Sequence, residues 1–314
     1  MAASAYLGWL SPNRAFDIAA PSVPGRADNA VLGYAVGYGV AEIAPFVRSL
    51  RSVFAGQIVL VVNDKPVLLA WLSTHNVEAI IAPGRTRLWT PHPVVARFAA
   101  YAQILQGRPE THRVVVTDVR DVIFQSDPFA TADDDLQFFI EAEGRNLADH
   151  AFNMKHLKAL VGAGLANDLG ARACVCVGVV AGSNAAVLRF CRAVLLLCAI
   201  PRSNVGGAFG ADQAACNLIA HLNLVDGKIL PNYGRVATIG LTPPEKLRYE
   251  DGMILNPDGD ASPIVHQYDR HPQLTAHVQR RWGLRVGALR RGKTFRQRAD
   301  TLRASLLRRM PELR

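Results

Sequence analysis

Apolar and polar positions fall into two kinds of run over the first 117 residues. Residues 30–38 and Gln57–Val62 are nearly continuous apolar stretches, ended by Gly37-Tyr38-Gly39 and by Asn63-Asp64. Runs that are apolar on both faces predict strands covered on both sides. Between them Ile43, Phe46, Val47, Leu50, Val53 and Phe54 recur at helical spacing, which predicts a helix over 42–54. Pro45 falls in its first turn, where a missing N–H costs little. The same reading gives a helix over 66–75, a strand over 77–82, a helix over 94–106 and a strand Arg113–Thr117. Strands alternating with helices imply a parallel sheet with crossover helices. The second half is less regular: strands over 136–141, 173–180 and Ile264–His266, with helices over 184–199 and 212–222. Residues 1–29 are rich in Pro, Ala and Ser and read as a lead-in. No internal repeat or linker divides the remainder, so one domain over 30–275 is the economical organisation.

Charge adds a third region. The formal net charge is +9, but residues 279–314 carry twelve Lys/Arg against two acids, leaving −1 for the other 278 residues. The body is near neutral and only the tail, 276–314, suggests a polyanionic partner. Within it Phe295, Ala299, Leu302, Leu306 and Met310 form one helical stripe, with arginines elsewhere around the helix. Such a basic amphipathic helix can lie on an anionic membrane surface; docking on the protein's own body is the alternative. Nucleic acid is not an expected partner. No basic region followed by an apolar run opens the sequence, and its most apolar stretch, 193–200, is far shorter than the ~20 residues of a membrane span. A cytoplasmic protein is expected, peripheral at the inner membrane face if the tail binds there. Five cysteines, all in apolar surroundings, argue for a reducing compartment. Cys174 and Cys176 share one face of a buried strand, but no second Cys or His pair at ligand spacing accompanies them, which argues against zinc there.

The candidate chemistry starts at the strand Arg113–Thr117, which delivers Asp118 at its carboxyl end. Open α/β sheets place their ligand crevice at that end. Asp121 follows three residues later, close enough to converge on one divalent ion if the chain turns. The structural alternative is that Asp118 caps a turn and Asp121 pairs with Arg120.

The string Asp118-Val-Arg-Asp121-Val-Ile-Phe-Gln-Ser-Asp-Pro-Phe129 resembles the metal-site segment of GT-A glycosyltransferases, a group similar to retaining galactosyltransferases and glycogenin-like enzymes. The resemblance implies a single Rossmann-like α/β domain, with a mostly parallel central sheet flanked by helices and followed here by the basic tail. It also implies Mn²⁺ or Mg²⁺ held against a nucleotide-sugar diphosphate. Two residues, Val119 and Arg120, separate the acids where the usual motif has one. Later segments resemble the same pattern. Cys176-Val-Gly178-Val-Val-Ala-Gly182-Ser183 is similar to a strand and turn along the donor sugar, its glycines allowing close backbone approach. Asp212-Gln213 resembles the element near the reacting centre of retaining enzymes, although Asp212 is equally placed to cap the following helix. His266 matches a late third metal ligand beside Asp118 and Asp121. Arg270 matches a phosphate contact, an ion pair with Asp269 being the alternative. Gly37, Tyr38, Gly39, Asn63 and Asp64 stand where this fold receives the nucleoside. Arg97, Asp118 and Arg120 complete the implied donor contacts.

The reaction so implied transfers a sugar to a glycan, glycolipid or other acceptor, with Asp212, Gln213 and Glu141 as candidate catalytic groups. Two other readings compete. A haloacid-dehalogenase-like phosphatase also sets a catalytic Asp after an apolar strand, but wants an acid two residues on, where Arg120 stands. A non-catalytic binding protein on a GT-A-like scaffold is the third.

Overall fold

The computed structural model describes residues 9–10, 28–83, 90–130, 134–199 and 208–284. The continuous apolar runs form the centre of a seven-stranded sheet. Strand β1 (Ala30–Tyr34) leads through helix α1 (Val40–Val53) to β2 (Gln57–Val62), then through α2 (Pro66–Ser73) to β3 (Glu78–Ile81). Helix α3 (Pro93–Gln106) carries the chain back to β4 (Arg113–Thr117), which pairs with β1 on its other side. These four strands are parallel.

The second half completes the sheet with β6 (Leu136–Ile140), β7 (Val175–Ser183) and β8 (Gly227–Leu230), in the order β3-β2-β1-β4-β7-β6-β8. Strand β7 runs antiparallel to both neighbours, β4 and β6, while β6 and β8 are parallel. Helices α4 (Ala151–Val161), α5 (Ala163–Asp168), α6 (Asn184–Cys198) and α7 (Ala211–His221) connect these strands. The result is an α/β domain with a large, mostly parallel mixed sheet flanked by helices, compatible with a Rossmann-like domain.

Alternate side chains divide the sheet between two apolar cores, as the period of a strand requires. Leu32, Val59, Val61, Val114, Val116, Phe138 and Val180 face α3, α4, α6 and α7. Val31, Ile58, Leu60, Val62, Val115, Phe139 and Val179 face α1 and α2. Phe190 of α6 meets Phe98 and Phe138 edge-on, at 5.8 and 5.6 Å between ring centroids. Ala, Val and Leu fill most of both cores.

A smaller sheet orders β5-β12-β9, from β5 (Val122–Phe124), β12 (Ile264–His266) and β9 (Val236–Thr238). The hairpin β10 (Arg248–Glu250) and β11 (Met253–Leu255) and helix α8 (Pro272–Trp282) pack around its far face. Leu274 and Val278 are buried, and Arg48 of α1 donates to the Gly283 carbonyl at 2.6 Å. Helix α8 therefore belongs to the body, and a domain limit at 275 falls inside it: its stripe of only two buried residues in a basic stretch resembles the tail that follows. The apolar stripe of the tail lies outside the described residues. So does most of the lead-in, although Leu10 is buried against the first core. No helix among the described residues is long and apolar enough to cross a membrane.

Candidate functional site

In the order β3-β2-β1-β4, successive connections diverge to opposite sides after β1. A crevice opens at such a switch point, outside the carboxyl ends of the two strands. The carboxyl end of β1 passes into Gly37, whose φ of 99° suits a residue without Cβ, and into Tyr38. The Asn63 side-chain carbonyl, from the end of β2, accepts from the Gly37 N–H at 2.6 Å. Lys65 Nζ donates to the Tyr38 carbonyl at 3.0 Å. The Gly39 N–H is already engaged by Glu42 Oε2 at 2.9 Å, the third helical residue reaching back to the N-cap of α1. Asp64 is exposed.

The end of β4 supplies Asp118, whose N–H donates to the Gly178 carbonyl of β7 at 2.7 Å. The chain then bends, Asp121 turns inward, and β5 begins. Because β5 pairs antiparallel with β12, His266 lies opposite Val122, and the Gln267 N–H donates to the Asp121 carbonyl at 2.8 Å. Residues 145 positions apart in sequence are thus neighbours. One ligand atom from each of Asp118, Asp121 and His266 lies within 4.8 Å of the others. Gly178 makes this approach possible: a Cβ there would stand 2.6 Å from His266 Nε2 and 3.0 Å from Asp118 Oδ2.

Charge in this group is set by burial and by partners. Burial acts upward on the Asp118 carboxyl, but Arg97 and His266 outweigh it and hold it well below the usual carboxylate range. Burial raises the Asp121 carboxyl; His266 opposes this and the negative charges of Asp118 and Asp269 add to it. Burial disfavours the His266 imidazolium, yet Cys176, Asp118 and Asp121 together raise its pKa well above the ordinary histidine value. The Cys176 sulfur lies 3.6 Å from His266 Nδ1, and Asp118 Oδ2 lies 3.5 Å from Nε2. Two carboxylates around one protonated imidazole are a donor set that a divalent cation can take over, displacing the proton.

Arg97 joins this group to α7. Its guanidinium is buried, pairs with Asp118 and donates to Asp212 Oδ2 at 2.9 Å. Asp212 sits inside the first turn of α7, whose N-cap is Gly210 at φ 91°, so it does not cap the helix. Burial pushes the Asp212 carboxyl up to about 6, although Arg97 opposes the rise. Tyr101, one turn on from Arg97, is buried, its hydroxyl 3.5 Å from the Thr117 carbonyl.

Several expected positions stand elsewhere. Gly182 and Ser183 lie at the opposite end of the sheet, because β7 runs antiparallel: Ser183 pairs with Arg113, at the start of β4. Five residues of strand, at about 3.3 Å each, separate them from Asp118. A Cβ on Gly182 would meet the backbone of Leu136, and Ser183 caps α6 by accepting from the Ala186 N–H at 3.4 Å. Gln213 spends both ends of its amide on β7, accepting from the Val177 N–H at 2.9 Å and donating to the Val175 carbonyl at 2.6 Å. It supplies hydrogen bonds where the pairing of β7 with β6 shifts register. Arg120 pairs with Asp269 at 3.0 Å and not with Asp121. Arg270 approaches the same Asp269 at 3.7 Å. Glu141, directly after β6, accepts from Asn153 Nδ2 at 3.2 Å and from Gln267 Nε2 at 3.4 Å.

His150 carried no sequence signal, and Cys176 and Asp269 were not expected to border the carboxylate and imidazole group. Nor does the sequence pattern signal an aromatic rim in which exposed Phe209 meets His92 at 5.3 Å and Phe152 at 5.6 Å, three residues before Asp212. The only available signal was the shared face of Cys174 and Cys176. Comparison with known proteins finds no family model that matches the sequence and no curated protein significantly similar to it.

Proposed function

We propose that the protein is a metal-dependent glycosyltransferase of the GT-A type, moving a sugar from a nucleoside-diphosphate sugar to a glycan or glycolipid acceptor. One observation carries this reading: Asp118, Asp121 and His266 converge beside the switch point of the sheet. Their two carboxylates and one imidazole fit Mn²⁺ or Mg²⁺, with phosphate oxygens and water completing the coordination. A divalent cation bound there supplies Lewis-acid neutralisation of the departing diphosphate.

The remaining residues bind, orient and exclude water. Tyr38, Gly37 and Asn63 line the end of β1 and β2, where the base and ribose would lie. Arg97 fixes the Asp118 carboxylate in one orientation, so the ligand set is preorganised before the donor arrives. Gly178 leaves room for His266 and Asp118 to pack against β7, which keeps the ligand set together. On the far side of Arg97, the Asp212 carboxylate is the negative group placed to stabilise positive charge developing at the anomeric carbon. Phe152 and Phe209 offer apolar faces to the acceptor beside it. A phosphatase reading fares worse, because the residue two after Asp118 is Arg120 and its guanidinium is paired with Asp269.

A thermal-shift panel of nucleotide sugars with Mn²⁺ or Mg²⁺ tests this reading, since a ligand of the native state stabilises it by mass action. The expected result is a rise with one nucleotide-sugar class that requires the metal and disappears in Asp121→Asn. No metal-dependent rise with any nucleotide sugar counts against the reading.

A further inference from the structure

Beside the first group stands a second set of ligating side chains, which the proposed reaction does not use. Glu141 follows β6, His150 precedes α4, and Cys174 precedes β7. Backbone pairing brings them together: the Glu141 N–H donates to the Cys174 carbonyl at 2.8 Å, and the Leu147 N–H donates to the Arg172 carbonyl at 2.7 Å. The short turn Leu147–Asp149 then delivers His150 over the end of the sheet. A carboxylate oxygen, an imidazole nitrogen and a sulfur all lie within 4.8 Å of one another.

Two independent observations point to a ligand. His150 Nε2 is buried and has no hydrogen-bond partner among the described residues, a condition that calls for an explanation in a folded protein. Cys174 Sγ is surrounded by donors: Asn153 Nδ2 lies at 2.7 Å and Gln213 Nε2 at 3.9 Å. A thiol is a weak acceptor. Amide donors converging on sulfur suit a thiolate, and such outer contacts are what orient metal ligands. The sulfur's one acidic neighbour, Glu141 Oε2 at 3.2 Å, accepts a hydrogen bond from the thiol when no cation is present.

We infer that Glu141, His150 and Cys174 bind a zinc-class divalent cation, with water in a fourth position. The ligand types decide the class: thiolate and imidazole suit zinc, whereas the two carboxylates beside Asp118 suit harder ions. Tetrahedral zinc with ordinary bond lengths needs ligand atoms about 3.6 Å apart, so the three side chains close in modestly. As the metal–sulfur bond forms, the S–H bond breaks and its proton leaves to solvent. The bound cation ties the end of β6 to the starts of α4 and β7. The absence of a local Cys or His pair around Cys174 excluded only a site built from one short segment. These three ligands come from three.

The test uses the full chain, freed of metal with a chelator and titrated with Co²⁺ as a spectroscopic stand-in for zinc. One equivalent should produce a sulfur-to-cobalt charge-transfer band, and added Zn²⁺ should bleach it. Cys174→Ser should abolish the band, His150→Ala should weaken binding, and Asn153→Ala should weaken it by about 10–100-fold. Asp121→Asn should leave the band intact, which separates this site from the proposed catalytic one. Absence of the band in the wild-type protein overturns the inference. So does a band unchanged in Cys174→Ser, or one lost in Asp121→Asn. If Cys174→Ser does not fold by circular dichroism, the wild-type titration and His150→Ala decide on the same criteria.

Discussion

The two ends of β4 carry similar ion pairs in opposite surroundings. At its start, Arg113 donates to Asp134 at 2.8 Å, with side chains 28% and 59% exposed. Near its end, Arg97 lies between Asp118 and Asp212, and the Arg97 and Asp212 side chains are 7% and 5% exposed. Water solvates the first pair whether or not it forms, so it contributes little to stability. The second has surrendered that solvation. Its mutual attraction does little more than offset the loss, so buried pairs of this kind are weak stabilisers. Charge kept at the carboxyl end of β4 under these conditions adds little to stability, which fits the role proposed for it.

The sharpest way to break the contrast is to remove the buried cation. Arg97→Leu leaves the buried Asp212 carboxylate without its cation, and should cost about 3–5 kcal/mol in urea unfolding. A loss below 1 kcal/mol would make the two ends of the strand equivalent. Next comes Asp121→Asn, which keeps shape but removes a ligand. Metal-stimulated turnover should fall further than the about 10–100-fold expected for an outer-contact loss, with the urea midpoint nearly unchanged.

Asp212→Asn is expected to act on both turnover and pH dependence. The native carboxyl titrates near 6 and the unfolded one near its ordinary value of 3.8. Between these values the folded chain holds a proton that the unfolded chain has lost, so wild-type stability falls as pH rises across the window. Asn cannot titrate, and the difference in urea midpoint between pH 4 and pH 7 should shrink in the variant. A smaller effect concerns metal affinity. His266 must lose its proton to become a ligand, so Mn²⁺ binding measured calorimetrically should tighten as pH rises. A pH-independent affinity would remove His266 from the ligand set. Smallest of all, Asp134→Asn at the exposed end should leave the urea midpoint essentially where it is in the wild-type protein.

Sequence made some parts of this site visible and hid others for physical reasons. Strands β1, β2 and β4 are buried on both faces, and their uninterrupted apolar runs announce them. Asp118 and Asp121 are visible because one strand end supplies both. His266 stands in a three-residue strand, too short for any period to register, and its position there depended on resemblance. Strand direction leaves no trace in an apolar run, which is why Gly178 and Gly182 read alike although only Gly178 reaches the site. Glu141, His150 and Cys174 converge through backbone pairing of separate segments, and no spacing rule links them. Asp212 read as a cap because the helix start is set by Gly210, whose left-handed conformation is invisible in sequence.

If Asp118, Asp121 and His266 hold a metal that assists departure of a nucleoside diphosphate, that departure must depend on the metal. Release of nucleoside diphosphate from a panel of nucleotide sugars, followed with Mn²⁺ or with excess EDTA, tests it most directly. The expected result is release from at least one sugar nucleotide with Mn²⁺, little with EDTA, and little from Asp121→Asn under either condition. Equal release with Mn²⁺ and with EDTA, or undiminished release from Asp121→Asn, would contradict it.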